Sequence, residues 1–174
     1  MNEDRQAHPT SQEDNFPAIA ISNLVRREIQ TPVAACLLKG FVEALGYERA
    51  MQIASAAIQQ DGMRTGERMA ERYGGNSIAD LLRMVREVWA EDGALELEVL
   101  EQTEQRLSFN VTRCRYAEMY EALGLRDLGA TLSCARDAAL LEGFNADLTL
   151  TRTQTIMEGA PYCDFVYRWK TPRT

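Results

Sequence analysis

Apolar residues recur every third or fourth position through the first half of the chain and every second position soon after residue 93, so the pattern switches from helical to extended partway along. Asn15 and Pro17 can start a first helix in which Ile21, Leu24, Val25 and Ile29 share a face. Thr31 followed by Pro32 has the form of an N-cap and a first-turn proline. That predicts a second helix with Leu37, Leu38, Phe41 and Leu45 turned inward and Gly46 closing it. A long segment from about Glu48 to Tyr73 carries Ile53, Ala54, Ala57, Met69 and Tyr73, with Gly62 and Gly66 as breaks and Gly74–Gly75 as the stop. Ser77 and Asp80 have capping-box spacing ahead of Ile78, Leu81, Leu82, Val85 and Trp89.

Leu95, Leu97 and Val99 then alternate with Glu96 and Glu98, the chain turns near Glu104 and Gln105, and Leu107, Phe109 and Val111 resume the alternation. This predicts a β-hairpin. Two shorter helices, about Tyr116 to Leu123 and Asp127 to Leu140, precede a break at "GFN", residues 143–145. "LTLTRTQTIM" and "YCDFVYRW" supply a second strand pair. The expected class is α+β, with N-terminal helices packed on a mostly antiparallel sheet formed by the C-terminal half.

Composition narrows the picture. A chain of 174 residues with 45% hydrophobic content can bury one sizeable core. We read one domain over residues 16–174, helical over 16–92 and sheet-containing over 93–170. An acidic tail, residues 1–15, has too little apolar surface to offset ordering and is expected to be disordered. A formal charge of −7 and no long Lys/Arg stretch exclude nucleic acid as the expected partner. The polar start and the lack of a long apolar run argue against a signal peptide or a membrane span, hence a cytoplasmic protein. Cys36, Cys114, Cys134 and Cys163 are widely spaced and are expected to be free thiols. The single histidine, His8, lies in the polar tail. Chemistry that needs an ordered imidazole is therefore excluded unless that tail folds back.

Several polar residues fall on apolar faces. By alternation Arg152 shares a strand face with Leu148, Leu150, Gln154 and Ile156, and Arg113 with Leu107, Phe109 and Val111. Two inward guanidiniums suggest a receptor for an anion; the plainer alternative is pairing with an internal acid such as Glu118. Cys134 and Asp137 share a helix face, as do Cys114 and Glu118. Cys114 sits at a strand-to-helix junction and Cys163 at a turn-to-strand junction, where sites are often assembled. Alternation places Cys163 with Phe165, Tyr167 and Trp169 and sends Asp164 to the opposite face. The structural alternative for each thiol is simple burial. No paired cysteine spacing supports a metal site, so no cofactor is expected and zinc is the lesser alternative.

"VTRCRYAEMY", "LSCARD", "GFN", "LTRTQTIMEGA" and "CDF", all within residues 109–165, resemble the signature region of the L-2-amino-thiazoline-4-carboxylic acid hydrolase family. The architecture is also similar to small-ligand domains of the 4-vinyl reductase type. The hydrolase resemblance implies opening of a five-membered thiazoline ring to an N-carbamoyl amino acid. Its chemistry needs a base or nucleophile, an acid for the leaving group, and an anchor for the substrate carboxylate. Arg113 and Arg152 suit the anchor, Asp137 the base, Cys134, Cys163 or Cys114 direct attack, and Asn145 orientation of the substrate nitrogen. A non-catalytic ligand-binding or regulatory domain is the rival reading. The expected partner is a small carboxylate-bearing molecule, with a homo-oligomer left open.

Overall fold

The computed structural model of the protein describes residues 21–171. Helix α1, Asn23–Leu45, starts at Ser22, whose hydroxyl accepts the Val25 N–H. It runs straight through Thr31 and Pro32, so the two helices expected here are one. A mid-helix proline forfeits one main-chain hydrogen bond. Packing overrides that cost: Leu24, Thr31, Ala35 and Leu38 form one buried stripe, and Thr31 turns inward to bond Tyr120 rather than capping. The same stripe corrects the inward placement of Val25, Ile29, Leu37, Phe41 and Leu45, all of which are exposed.

Helix α2, Tyr47–Tyr73, is likewise unbroken. Gly62 and Gly66 are not breaks but the crossing point of α6, Arg136–Phe144. A Cβ on Gly66 would lie 2.6 Å from the Phe144 nitrogen and one on Gly143 2.7 Å from the Met63 carbonyl carbon, so backbone touches backbone there. Gly74 ends α2 with φ of 65°, a left-handed cap. Helix α3, Ile78–Met84, opens on the expected capping box: Ser77 N–H donates to Asp80 and Asp80 N–H to the Ser77 hydroxyl. It continues into a π turn, Val85–Trp89, closed by Ala90 N–H to Val85 O at 2.9 Å.

Strands β1, Leu95–Gln102, and β2, Arg106–Cys114, make the expected hairpin. After α4, Arg115–Ala122, the segment read as one helix is α5, Arg126–Gly129, a second π turn, Ala130–Cys134, and then α6. Strands β3, Leu148–Thr151, and β4, Cys163–Trp169, complete an antiparallel sheet of order β1-β2-β4-β3. Phe109, Phe165 and Tyr167 stack on its inner face, with Phe109 and Phe165 5.0 Å apart, beneath Leu81, Leu82, Val85, Leu140 and Phe144. The chain is thus α+β, with helices against one face of the sheet.

Two departures in the sheet position the site. Leu97 pairs with Val111 but Glu96 pairs with Arg113, so Thr112 is an extra residue in β2. A bulge of this kind reverses the alternation beyond it. Arg113 therefore turns to solvent and Cys114 turns inward beside Leu95. β3 also stops six residues short of the stretch read as strand. Asp164, on the outer face of β4, accepts the amide N–H groups of Thr153 and Gln154, each at 2.9 Å, and the Thr153 hydroxyl at 2.6 Å. Those amides leave the ladder, and the chain passes into a short 3-10 turn, Ile156–Glu158.

Candidate functional site

A cavity of about 130 Å³ lies where α1, α2, the two π turns and the inner face of the sheet meet. That is close to the size of an apolar protein cavity that accepts benzene, roughly 150 Å³. Val88 and Trp89 reach it from the first π turn and Ser133 and Cys134 from the second. π turns recur at functional sites because the inserted residue re-aims its neighbours. One wall is apolar, with Met69, Met84, Leu95, Val111 and Phe165. The other carries Cys114, Cys134, Asp137, Arg152 and Cys163, five side chains from five separate segments of the chain.

Asp137 and Arg152 form an ion pair through Oδ2 and Nη1, each about a fifth exposed or less. Arg152 also donates to the Cys134 carbonyl at 3.3 Å and lies over the Phe165 ring, 5.2 Å from its centroid. Among the described residues no hydrogen bond reaches Asp137 Oδ1. Burial pushes the Asp137 carboxyl up, against the pull of Arg152, to about 6. Burial opposes the charge on Arg152, but Asp137 outweighs it and the guanidinium is held more firmly protonated than usual.

The thiols are pushed the other way for nucleophilic use. Burial raises Cys114 to about 11 although it stands at the start of α4, near the Tyr116 and Ala117 amides. Burial and then the Asp137 charge raise Cys134 well above a free thiol. Cys163 accepts the Ile156 N–H at 3.2 Å, which favours thiolate, yet burial still raises it. All four cysteines are unpaired, and only Cys36 is exposed. Labelling with iodoacetamide at neutral pH is therefore expected to modify Cys36 quickly and the other three only in alkaline or denaturing solution. Fast labelling of Cys163 in the native protein would show a thiolate that this environment does not favour.

Two residues expected at the site lie elsewhere. Arg113 is half exposed and pairs with Glu118 at 2.7 Å and Glu96 at 3.5 Å, because the Thr112 bulge faces it outward. Asn145 is buried at the end of α6, donating to the Asn76 carbonyl at 2.8 Å and accepting the Asp147 N–H at 2.9 Å. Both of its polar ends are used within the fold. Asp164, behind the cavity, is held below the usual carboxylate range: burial raises it slightly, but the Thr153 hydroxyl and the Gln154 and Thr153 amides outweigh that. A depressed folded-state value adds stability that is present above the unfolded value and lost as pH falls through the folded one. Asp164→Asn is expected to cost about 1–2 kcal/mol at neutral pH, with the difference from wild type shrinking in acid. Chemical denaturation across pH checks this.

Other cavity residues escaped the sequence reading. Arg27 and Arg136 line it, with Asn23 and Tyr116 joined at 2.9 Å and Tyr116 donating in turn to the Trp89 carbonyl at 3.0 Å. Arg136 pairs with Asp61 across the α2–α6 contact. Among the described residues Arg27 has no carboxylate within ion-pair distance; its nearest polar partner is Gln30 at 3.3 Å. Burial, followed by repulsion from Arg136, lowers its hold on the proton. The available signal was position: Arg27 falls between Leu24 and Thr31 on the buried stripe of α1. Among the described residues no group of three or more His, Cys, Asp or Glu side chains is placed to hold a metal ion. No helix there is long and apolar enough to cross a membrane.

This is a class of α+β chain that encloses a small cavity, apolar on one side and charged on the other, between its helices and an antiparallel sheet. The family model of L-2-amino-thiazoline-4-carboxylic acid hydrolase matches residues 26–167, and the chain belongs to that family. No curated protein matches the sequence. The fold is similar to the phenol-responsive sensory domain of the transcription activator PoxR, solved with phenol, at TM-score 0.52 and 15% identity, covering 79% of this chain and 73% of that one. It is also similar to a trafficking protein particle complex subunit 3 from Naegleria fowleri covalently bound to palmitic acid, at TM-score 0.53 and 10% identity, covering 84% of this chain and 96% of that one. At such identities the likeness is one of fold.

Proposed function

We propose that the protein hydrolyses a small cyclic amidine or amide bearing a carboxylate, a thiazoline-carboxylate-like substrate, to an N-carbamoyl-type product. The observation that carries this reading is Asp137, a carboxyl raised to about 6 and oriented by Arg152 inside the cavity. A base with a value near the working pH is best matched to proton transfer. Asp137 takes a proton from water as its oxygen adds to the ring carbon between nitrogen and sulfur. The tetrahedral adduct then collapses to a carbonyl, the C–S bond breaks, and Asp137 returns the proton to the departing sulfur. The hydroxyl proton of the adduct passes to the ring nitrogen, whose C=N bond has become single, so the water oxygen ends in the new carbonyl, its two protons end on that nitrogen and on the new thiol, and no co-reactant is needed.

Arg27 takes the part first expected of Arg113. Three guanidiniums, Arg27, Arg136 and Arg152, face two partnered carboxylates, Asp61 and Asp137, so the wall has room for one more negative charge. A substrate carboxylate on Arg27 supplies it. The protonated thiols favour carboxylate-activated water over cysteine attack. Cys134 and Cys163 then shape the wall.

A second reading, ligand binding without turnover, is favoured by the apolar half of the cavity. One experiment separates the two: thiazolines, hydantoins and related cyclic amidines, with and without a carboxylate, are incubated with the protein and followed by mass spectrometry. Gain of one water by a carboxylate-bearing ring, lost in Arg27→Gln at low substrate but partly restored at high substrate, supports the hydrolase. Calorimetric binding of the same rings with no mass change supports the binding protein.

A further inference from the structure

The outer side of α1 carries a second feature, independent of the cavity and of any catalytic reading. Val25, Ile29, Val33, Leu37, Phe41 and Leu45 stand at successive intervals of four and are between 39% and 63% exposed. Side chains four apart form a continuous ridge on a helix. By helical periodicity Val33 lies opposite the stripe of Leu24, Thr31 and Leu38, so the ridge crosses the side of α1 that faces away from the protein. From Ile29 to Leu45 the chain has only two charged residues, Lys39 and Glu43, and neither is on the ridge. A surface helix normally turns charge toward water on this side.

Gly40 adds the second observation. Mid-helix glycine is less favourable than alanine because it gives up more backbone freedom on folding. Gly62, Gly66 and Gly143 are explained by the α2–α6 crossing, whereas a Cβ on Gly40 would meet nothing within 4 Å. It sits on the outer side, next to the ridge, as a notch that no part of the described chain fills.

We propose that this face of α1 is the contact surface between two copies of the chain. Ridge and notch on one helix are self-complementary, which is what a two-fold interface requires. An antiparallel crossing centred on Leu37 sets the ridge of each copy into the groove at Gly40 of the other and brings Val33 of one against Phe41 of the partner subunit. The absence of charge selects against a polar or nucleic-acid partner. Of residues 1–20, which precede the described residues, only Met1, Phe16 and Ile19 are large apolar side chains, against six on the ridge of a 23-residue helix. Stable interfaces take roughly 800 Å² from each side, and the ridge from Val25 to Leu45 runs about 30 Å along α1.

The test is sedimentation equilibrium of the full chain at micromolar concentrations, with circular dichroism as the control for folding. Wild type is expected at twice the 19.6 kDa chain mass. Leu37→Glu is expected to be a folded monomer. Gly40→Leu, which fills the notch without touching the monomer's interior, should weaken association by at least about tenfold while leaving the helix signal intact. A short bifunctional maleimide should join the wild-type pair through Cys36, the exposed thiol, and fail to do so in either variant. A monomeric wild type overturns the proposal, as does a dimer that survives both substitutions. Association appearing only after residues 1–20 are deleted overturns it too, since that segment would then be the occupant.

Discussion

Asp137→Asn is expected to lower kcat/KM by roughly 10²–10⁴ while lowering the melting temperature only modestly. The two halves of that expectation have one cause. Burial holds the Asp137 carboxyl at about 6, above its unfolded value of 3.8, so ionising it in the folded protein is unfavourable even beside Arg152. A folded-state value that is raised contributes stability below the unfolded value and loses it as pH rises toward the folded one. At neutral pH the carboxylate is therefore ionised at a cost to the fold, and a neutral isostere removes that cost together with the base, which offsets much of the loss of Arg152's counter-ion. Wild-type kcat/KM should rise through an apparent value near 6 and then level off, because the free enzyme must lose this proton to act. The acid limb should vanish from whatever activity the variant retains. A variant that keeps full activity, or one that melts far lower at neutral pH, would make Asp137 a structural ion-pair partner instead.

Gly66→Ala is expected to be far more damaging than Gly62→Ala in the same α2–α6 contact, at about 3 kcal/mol or more, with Gly143→Ala comparable to it. Its new Cβ would lie 2.6 Å from the Phe144 nitrogen and 2.9 Å from the Gly143 carbon. Both are backbone atoms in α6, so no rotamer change can relieve the overlap and the helices must separate. Gly62→Ala should be milder, since its nearest neighbours are the Arg136 carbonyl oxygen at 3.1 Å and the Ala139 Cβ at 3.2 Å. Guanidinium titrations should rank the two in that order. Because α6 carries Arg136 and Asp137, the Gly66 variant should also lose activity in its folded fraction. Equal, small effects would mean that α6 can slide on α2 without loss.

Part of the site was legible because its residues sit on regular elements. Cys134 and Asp137 are three apart on helical backbone and Arg152 extends the inward face of β3, so spacing alone put the first two on one face and the third inward, and the structure brings all three to the cavity wall. Arg113 failed by the same rule applied one residue too far. Alternation holds only while strand register holds, and the extra residue at Thr112 exchanges the outward and inward positions, sending Arg113 out and Cys114 in. Arg27 went unnoticed because the first helix was read with the wrong face inward. Its ridge of large apolar residues outweighs the narrower stripe of Leu24, Thr31, Ala35 and Leu38 that is actually buried.

Local chemistry was sufficient for whatever short-range bonds decide. The Ser77–Asp80 capping box, the left-handed stop at Gly74, the hairpin of β1 and β2 and the α+β class follow from neighbouring residues and a clear period, as do the signature segments within residues 109–165 that lie inside the family match. Tertiary contact decided the rest. Pro32 and the glycines of α2 read as interruptions in isolation, yet α1 and α2 run through them, because the packing of α2 and α4 on one and of α6 on the other outweighs a lost hydrogen bond or a flexible residue. Acid–base character was decided at the same level. Any aspartate has an ordinary carboxyl until α6, β4 and the second π turn close around it, and the electrostatic cost of that enclosure raises Asp137 toward neutrality and leaves the thiols protonated.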